Sequence, residues 1–226
     1  MNERIERIAV IIPAFNAANT LDALLVRLEP YVSPNRILVV NDGSTDDTAK
    51  IAQRRGARVI NIEKNGGKGA ALQTGFSALL ADSTVYEVLT IDADLQHRPE
   101  DLPAFVERKC LTHANIVIGL RNRSRTGMPI HRRISNTLTS FLVSIRTGVN
   151  VLDSQCGFRL IGREVFSKVV IQSPGFEGET EFLIRAIKQG FKVEFVPIET
   201  IYNGEESHMT NWDTTLSFVR VLLREY

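Results

Sequence analysis

The chain has 226 residues, of which 43% are hydrophobic and 23% are charged, and its formal net charge is +1. These values are typical of one globular domain, and the near-zero net charge gives no support for a nucleic-acid partner. The two cysteines, Cys110 and Cys156, form no CxxC pair and lie near no histidine cluster, which argues against a zinc site and against a disulfide framework.

Strand and helix patterns alternate along the first half of the chain. Continuous apolar runs predict buried parallel strands at 8–13, 36–40, 57–62, 85–91 and 116–119. Helical spacing or capping residues between them predict helices at 21–28, 44–55, 68–80 and 101–109, with Ser44 as N-cap and two acids in the first turn of the second helix. This alternation predicts an α/β fold with a Rossmann-like, mostly parallel sheet and helices on both faces.

The second half is less regular. A helix is predicted around the apolar positions 134, 138, 141, 142 and 145, whose stripe we interpret as core rather than as membrane contact. A helix at 179–189, a strand at 191–197 and a helix at 212–225 complete the pattern. No repeat or linker divides the chain, so one domain is expected over residues 1–226.

The sequence also bears on location. Its first residues match no signal peptide, and no apolar run reaches the ~18 residues that a membrane span needs. We therefore expect a cytoplasmic protein whose membrane contact, if any, is peripheral. From Arg108 to Leu152 the chain has eight basic residues and no acid, which is typical of a site for phosphates or anionic lipid headgroups or of a solvated basic face.

Polar motifs follow several of the predicted strands, where the ligands of open α/β sheets bind. Asp92 and Asp94 would project to one side of an extended segment and could share Mg²⁺ with substrate phosphates, with Gln96 as a third oxygen ligand. The alternative is an acidic loop that caps the next helix.

Two further motifs have a functional and a structural interpretation. Asp42, within the segment 41–44, could accept hydrogen bonds from a base or a ribose, or could simply form a turn. The glycine-rich turn 65–69 could present Lys68 and its backbone amides to an anion, or could be an ordinary helix start. It is not a Walker loop, because the spacing and the Ser/Thr are missing.

Seven segments, taken in order, resemble the family 2 glycosyltransferases, and most closely their polyprenyl-phosphate sugar transferase branch, the dolichyl-phosphate mannose and glucose synthases. They are IIPAFN (11–16), VVNDGSTDDT (39–48), NGGKGAAL (65–72), IDADLQHRPEDLP (91–103), GLR (119–121), RRISN (132–136) and DSQCGFRL (153–160). The resemblance covers residues 8 to 197. It implies a GT-A fold, a nucleotide-sugar donor, Mg²⁺ or Mn²⁺ as cofactor, and inversion at the anomeric carbon.

The resemblance also implies roles for particular residues. The metal ligands would be Asp92, Asp94 and Gln96, and the donor half of the domain would span about 1–120 and the acceptor half about 121–226. The expected donor contacts are Pro13, Ala14, Phe15, Asn16, Asp42, Lys68, Gly69, Asp92, Ala93 and Arg121, and the arginines expected to bind phosphates are Arg121, Arg132 and Arg133. The sequence departs from the family at Asn41, where an aspartate is usual, and it has no C-terminal membrane helices.

The predicted reaction is a single in-line displacement at C1 of the sugar. The metal, Lys68 and the arginines would neutralise charge on the leaving diphosphate, and Asp94, Arg132 and Arg133 would act directly in catalysis. A polyprenyl phosphate acceptor is already ionised and needs no strong base, whereas a hydroxyl acceptor needs a carboxylate base. The candidate bases are Asp153, Glu179 and Glu181, of which the last two also suit a helix start.

Three alternatives remain at this level: a glycosyltransferase acting on a hydroxyl acceptor, a non-catalytic protein that binds nucleotide sugars, and a nucleotidyltransferase. Asp92 and Asp94 argue against the second, and the lack of a glycine-rich loop with arginine after the first strand argues against the third. The sequence leaves open the base of the donor (uracil or guanine), the sugar, the acceptor and the oligomeric state.

Overall fold

A computed structural model describes residues 7–122, 130–201 and 212–225. Its strands are β1 (Ile8–Ala14), β2 (Ile37–Asp42), β3 (Arg58–Ile62), β4 (Glu87–Thr90), β5 (Ile116–Arg121), β6 (Arg159–Gly162) and β7 (Val193–Ile198). Its α-helices are α1 (Ala18–Leu28), α2 (Thr48–Arg54), α3 (Lys68–Leu80), α4 (Leu102–Thr112), α5 (Ile130–Thr147), α6 (Arg163–Phe166), α7 (Glu177–Lys188) and α8 (Trp212–Leu223). Short 3₁₀ helices lie at Pro34–Arg36 and Pro99–Asp101.

The strands form one sheet in the order β3-β2-β1-β4-β6-β5-β7. Neighbouring strands are parallel except for β6, which runs antiparallel to both β4 and β5. The mostly parallel sheet of the predicted α/β fold is therefore confirmed. Because parallel strands end at a common edge, the segments that follow β1, β2, β4 and β5 meet there.

The strands at the centre of the sheet are apolar on both faces. Every residue from Ile8 to Ile12 is at most 1% exposed, and the first four residues of β2 are equally buried. Helices explain this burial, since α3 packs on β1 and β2 while α4 packs on β5 and β7. A strand covered on both faces needs no polar alternation, which is why the continuous apolar runs identified these strands to within a few residues.

The sequence analysis does not predict β6 or α6. The four residues of β6 are all buried, and the first of them is Arg159, which is only 2% exposed. A buried arginine at the start of a four-residue run gives neither the alternating nor the continuous apolar pattern of a strand. The antiparallel insertion of β6 between β4 and β5 is therefore a tertiary feature.

The predicted start of the second helix is wrong. Residues 44–47 precede α2, which begins at Thr48. Asp46 accepts hydrogen bonds from the backbone N–H of Thr48 and of Ala18, both at 3.0 Å, and the Ser44 hydroxyl accepts one from the N–H of Asn16. These polar side chains thus connect the loop after β2 to the start of α1, instead of forming the first turn of a helix.

The apolar stripe of α5 does not lie in the core, so that interpretation is wrong as well. Its five members are all exposed: Ile134, Leu138, Phe141, Leu142 and Ile145. The buried side of α5 consists instead of the small residues Thr139, Ser140 and Val143. No helix in the described part of the chain is long and apolar enough to cross a membrane.

Candidate functional site

A lysine lies between two carboxylates at the edge where the parallel strands end. Lys68, the first residue of α3, places its Nζ 2.6 Å from Oδ1 of Asp92 and 2.7 Å from Oε2 of Glu179. Asp92 follows β4, and Glu179 lies in the first turn of α7, which begins two residues earlier than predicted. The side chains of Lys68 and Glu179 are 12% and 7% exposed, so this ion pair is shielded from water.

Burial and charge act against each other in this cluster. Burial lowers the pKa of Lys68, but the carboxylates of Asp92 and Glu179 outweigh burial and raise it above its ordinary value. Burial likewise raises the pKa of Asp92, yet the ammonium group of Lys68 brings it below its usual range. The ammonium group of Lys68 and the carboxylate of Asp92 are therefore both charged near neutral pH, and each stabilises the charge of the other.

The acidic motif forms a turn after β4 instead of continuing the strand. Asp94 accepts a 3.0 Å hydrogen bond from the N–H of Gln96 through Oδ1, and Leu95 between them has a left-handed φ of 59°. Ala93 is buried, whereas Asp92, Asp94 and Gln96 are partly exposed. The segment is therefore not extended, so the condition under which Asp92 and Asp94 were expected to project to one side is not met.

Backbone N–H groups of the glycine-rich turn are hydrogen bonded within the protein. Asp42 accepts hydrogen bonds from the N–H groups of Gly66 and Gly67, one on each carboxylate oxygen at 2.8 Å, and is 3% exposed. The N–H of Gly69 donates to the carbonyl of Gly175. The contact of Gly69 with the donor stays a prediction, and its backbone N–H would not supply it, because that group is already bonded to a carbonyl. Recognition of the nucleoside by Asp42 stays a prediction. It would have to use the lone pairs of the carboxylate that are not bonded to Gly66 and Gly67.

The other residues of the predicted nucleotide pocket lie where β1 ends. Ala14 is buried, Pro13 is partly exposed, and the ring of Phe15 is 44% exposed beside the ends of the parallel strands. Asn16 has a left-handed φ of 51°, and its Oδ1 accepts a 2.9 Å hydrogen bond from the N–H of Thr45. Asparagine tolerates this backbone conformation, so Asn16 can turn the chain after β1 and leave Phe15 facing outwards.

The unusual Asn41 has a structural explanation. Its Nδ2 donates a 2.8 Å hydrogen bond to Oδ1 of Asn61 on β3, and its Oδ1 accepts one from the N–H of Ser44. An aspartate cannot donate the first of these bonds. Asn41 thus stabilises the end of the β2–β3 pair.

Two residues predicted for phosphate binding and for base catalysis bind each other. Arg121, the last residue of β5, donates from Nε and Nη2 to the two oxygens of Asp153 at 2.8 and 2.9 Å. Asp153 is completely buried. A paired, buried carboxylate is poorly placed to take a proton from a substrate hydroxyl. The structure directs Arg121 and Asp153 to each other, and their roles in donor binding and as a base stay predictions.

Glu181 is also structural. It is completely buried, and it accepts hydrogen bonds from the N–H groups of Gln172 and Ser173 and from Nε of Arg185. The role of Glu181 as a base stays a prediction that these contacts do not support. Of the three candidates only Glu179 lies in the cluster beside Asp92, and there one of its oxygens is paired with Lys68.

The two remaining arginines lie on α5. Arg133 is partly exposed in the first turns of this helix, and its carbonyl accepts a hydrogen bond from the hydroxyl of Thr137. The side chain of Arg132 lies outside the described residues. The phosphate-binding role of this pair remains a prediction.

Residues 156–159 complete the cluster, and the sequence analysis assigned them no individual role. A Cβ added to Gly157 would lie 2.5 Å from Oδ2 of Asp92 and 2.8 Å from Nζ of Lys68, so only glycine fits beside the ion pair. Arg159 donates to three backbone carbonyls, those of Ser154, Cys156 and Glu179. The sequence signal for these residues was the segment DSQCGFRL, in which Gly157 and Arg159 each lie between two apolar residues.

His97 lies in the core beneath the acidic turn. Its ring stacks on Phe158 at 5.6 Å, and burial lowers the pKa of His97 to about 4. The imidazole is therefore neutral at physiological pH. In the described part of the chain, no group of three or more His, Cys, Asp and Glu side chains is positioned to hold a metal ion.

The sequence comparisons agree with this geometry. The profile described as Glycosyl transferase family 2 matches residues 9–170, which include Lys68, Asp92, Asp94 and Gly157. The chain belongs to glycosyltransferase family 2. The resemblance found in the sequence motifs is thereby confirmed, and so is the conclusion that the protein is an enzyme of this class.

Two relatives of this family 2 glycosyltransferase match most of their own length. An uncharacterized protein of Methanocaldococcus jannaschii is 34% identical over 225 residues, which are 97% of this chain and 90% of the relative. The undecaprenyl-phosphate mannosyltransferase of Micrococcus luteus is 30% identical over 204 residues, which are 85% of this chain and 82% of that enzyme. The second relative belongs to the polyprenyl-phosphate branch that the motifs indicated.

A solved structure with the same fold is glucosyl-3-phosphoglycerate synthase from Mycobacterium tuberculosis, in complex with Mn²⁺, uridine diphosphate and phosphoglyceric acid. The TM-score is 0.78 at 22% sequence identity, and the match covers 98% of this chain and 79% of that chain. At this identity the likeness establishes the fold, which is the predicted GT-A arrangement.

Proposed function

We propose that this family 2 glycosyltransferase moves a sugar from a nucleoside diphosphate donor to the phosphate of a polyprenyl lipid, with inversion at the anomeric carbon. One observation carries the choice of acceptor: all three candidate bases are engaged by other groups of the protein. Asp153 binds Arg121, Glu181 binds backbone amides and Arg185, and Glu179 binds Lys68. A hydroxyl acceptor needs a base to remove its proton, whereas an ionised phosphate does not.

The relatives support the same acceptor class. The enzyme of Micrococcus luteus carries undecaprenyl phosphate in its name and aligns with 85% of this chain. The basic segment 108–152, which contains no acid, supplies arginines for a phosphate group, and arginine binds phosphate oxygens in pairs through its planar fork. A polyprenyl phosphate therefore fits both the basic charge of the segment 108–152 and the pairing of the three candidate bases with other groups of the protein.

The residues of the cleft also fit a divalent cation. Asp92 and Asp94 provide carboxylate oxygens from one turn, Gln96 adds an amide oxygen, and Mg²⁺ commonly takes one or two carboxylates together with substrate phosphates. When bound, the cation would neutralise charge on the leaving diphosphate. Lys68 lies 2.6 Å from Asp92, so its ammonium group is placed to share that diphosphate as an additional positive charge.

The test is a transfer assay with defined donors and acceptors. Purified protein is incubated with UDP- or GDP-linked hexoses and Mn²⁺, and either undecaprenyl phosphate or dolichyl phosphate is supplied in detergent. We expect sugar to appear in the lipid fraction on a mild-acid-labile phosphodiester, since the glycosyl C1 is bonded to phosphate. Phosphoglyceric acid, which occurs with the structural neighbour, serves as the hydroxyl-bearing acceptor.

The alternatives give different results in the same assay. If sugar is transferred to the hydroxyl-bearing acceptor and none to polyprenyl phosphate, the proposed lipid acceptor is contradicted. The protein would then be a glycosyltransferase that acts on a hydroxyl group. Tight donor binding without transfer or hydrolysis under any condition would favour a non-catalytic protein that binds nucleotide sugars.

A further inference from the structure

The starts of helices α3 and α7 meet through two glycines. Gly69 is the second residue of α3, and Gly178 is the second residue of α7. A Cβ added to Gly178 would lie 2.9 Å from Cα of Gly69 and 2.5 Å from the carbonyl oxygen of Ser173, and a Cβ added to Gly69 would clash with that same oxygen. These distances are shorter than the ~3.5 Å at which non-bonded heavy atoms pack, so only glycine permits this approach of the two helices.

A single carbonyl joins the two helix starts. The oxygen of Gly175 accepts hydrogen bonds from the N–H of Gly69 and from the N–H of Gly178, both at 3.1 Å. Beside it, the carbonyl of Pro174 accepts a 3.0 Å hydrogen bond from the N–H of Ala70. First-turn N–H groups have no acceptor within their own helix, and such groups often bind a phosphate. Here these N–H groups of α3 hold the segment before α7 instead.

Each glycine is next in the sequence to a charged residue of the cleft. Lys68 directly precedes Gly69 in α3. Glu179 directly follows Gly178 in α7, and its Oε2 lies 2.7 Å from Nζ of Lys68. The other oxygen of this carboxylate is buried and has no hydrogen-bond partner among the residues that the structure describes. The distance between ammonium group and carboxylate therefore depends on where α7 starts relative to α3.

The third member of the cluster belongs to a different element. Asp92 follows β4, whose four residues are buried in the sheet, and its Oδ1 lies 2.6 Å from Nζ of Lys68. A side chain at either glycine would force the two helix starts apart, while the sheet would keep Asp92 in place. A displacement of about 1 Å at a reacting centre can cost on the order of 100-fold in rate.

We propose that Gly69 and Gly178 are positioning residues for sugar transfer. Their missing side chains set the separation of α3 and α7 at which the ammonium group of Lys68 faces the leaving diphosphate. The proposal rests on the proposed role of Lys68 at that diphosphate and names what places this residue. It does not depend on the acceptor, because the bond between C1 of the sugar and the diphosphate breaks with any acceptor.

The test compares kcat and KM of the variants Gly69→Ala and Gly178→Ala with those of the wild type. Gly75→Ala is the control, because its Cβ would lie 2.9 Å from Cδ1 of Ile11 and would crowd the same helix about two turns away from Lys68. Urea unfolding measures the stability of the three variants. All kinetics are measured at a temperature at which every variant is folded.

We expect kcat to fall about tenfold or more in Gly69→Ala and in Gly178→Ala, while KM for the acceptor changes less than about threefold. Gly75→Ala should lose stability and keep the wild-type kcat. An equal loss of kcat in Gly75→Ala would attribute the effect to stability and would overturn the proposal. Wild-type kcat in both Gly69→Ala and Gly178→Ala would overturn it as well.

A second set of variants shows whether the glycines act through Lys68. In a Lys68→Met background, Gly178→Ala should lower kcat by less than about twofold further, because the group that it displaces is already gone. A further tenfold loss would contradict the proposal. Gly175→Ala replaces Gly178→Ala if the double variant does not fold. It is a milder change, because its Cβ would meet only the carboxyl end of the flexible Glu177 side chain, and it shifts the shared carbonyl.

The acceptor assignment is tested separately in the same assay. Release of UDP or GDP from the donor is measured with polyprenyl phosphate and with phosphoglyceric acid as acceptors. If the wild type uses only phosphoglyceric acid, the proposed lipid acceptor is contradicted, while a loss of kcat in the two glycine variants with that acceptor still supports their positioning role. Transfer to polyprenyl phosphate at the wild-type rate by both glycine variants would support the acceptor and refute the positioning role.

Discussion

At the scale of single residues, the contact between Lys68 and two carboxylates decides how the cleft behaves. Lys68→Met removes the cation and leaves Asp92 and Glu179 facing each other in a shielded site. Breaking a buried ion pair from one side is strongly destabilising, so we expect the free energy of unfolding at pH 7 to fall by about 3 kcal/mol. Urea titration measures this loss. Lys50→Met is the control, because its pair with Asp47 is exposed and should contribute well under about 1 kcal/mol.

The same pair predicts a pH dependence. The folded pKa of Asp92 lies below its ordinary 3.8, so its contribution to stability is present above that pH and is lost as the pH falls through the folded pKa. The folded pKa of Lys68 lies above its ordinary 10.5, so its contribution is complete below that pH and is lost only at more alkaline pH. The stability difference between wild type and Lys68→Met should therefore be greatest from about pH 5 to pH 10 and narrow in acid. A difference that stays constant down to pH 2 would contradict the pairing.

The proposed role of Asp94 in metal binding can be tested with a matched control residue. Asp94→Asn should reduce transfer to below about 1% of wild type, because one carboxylate ligand to the cation is lost, while the fold stays intact. Asp82 accepts a hydrogen bond from the N–H of Thr84 in the same way that Asp94 accepts one from Gln96, but it follows α3, away from the cleft. Asp82→Asn should therefore keep full activity. Calorimetric titration of Mn²⁺ in the presence of nucleotide gives an independent measurement, and unchanged Mn²⁺ affinity in Asp94→Asn would refute the assignment.

At the scale of elements, the sequence predicts best the strands that are buried on both faces of the sheet. The apolar runs of β1 and β2 identify their strands because helices cover both sides of the sheet. The periodicity of α5 also predicts a helix correctly, but it cannot say what lies against the apolar stripe, since the same pattern suits a core, a bilayer or a partner. Asp153 shows the corresponding limit for the site, because its ion pair with Arg121 joins residues 32 positions apart in the sequence.

An arginine begins strand β6 and a second one, Arg163, directly follows the strand, and the two should behave differently. Arg159, on the side of the cleft, donates to the carbonyls of Ser154, Cys156 and Glu179, whereas Arg163 donates to carbonyls at the opposite end of the sheet. Lysine cannot reproduce three such bonds, so each Arg→Lys change should cost about 2–4 kcal/mol of unfolding free energy. Urea unfolding measures this cost.

Only Arg159→Lys should also impair the enzyme, because its three carbonyls hold Gly157 and Glu179 against Lys68. We expect the folded variant to lose donor affinity as well as rate, while Arg163→Lys keeps wild-type kinetics at a temperature where both are folded. Equal kinetic loss in the two variants would mean that the effect is one of stability alone.

At the scale of the whole molecule, the cluster that we propose as the donor site joins the two halves of the chain. Lys68 and Asp92 come from the first 120 residues, while Gly157 and Glu179 come from the remainder, and all four meet beside β4. The sheet is continuous across the same division, since β6 lies between β4 and β5. A ligand bound at the cluster should therefore stabilise the entire domain rather than one half of it, because its contacts form only when both halves are folded together.

This coupling makes thermal unfolding a direct probe of the donor. A nucleotide at 100 times its Kd adds about 2.7 kcal/mol, which for a protein of this size raises Tm by roughly 5–10 °C. We expect this shift with UDP or with GDP but not equally with both, because hydrogen bonds to the base edge distinguish them, and we expect it to require Mn²⁺. Asp94→Asn should abolish the metal-dependent part, whereas Asp82→Asn should retain it, since Asp82 does not touch the proposed donor cluster. Equal shifts with both nucleotides in EDTA would place nucleotide binding away from the acidic turn.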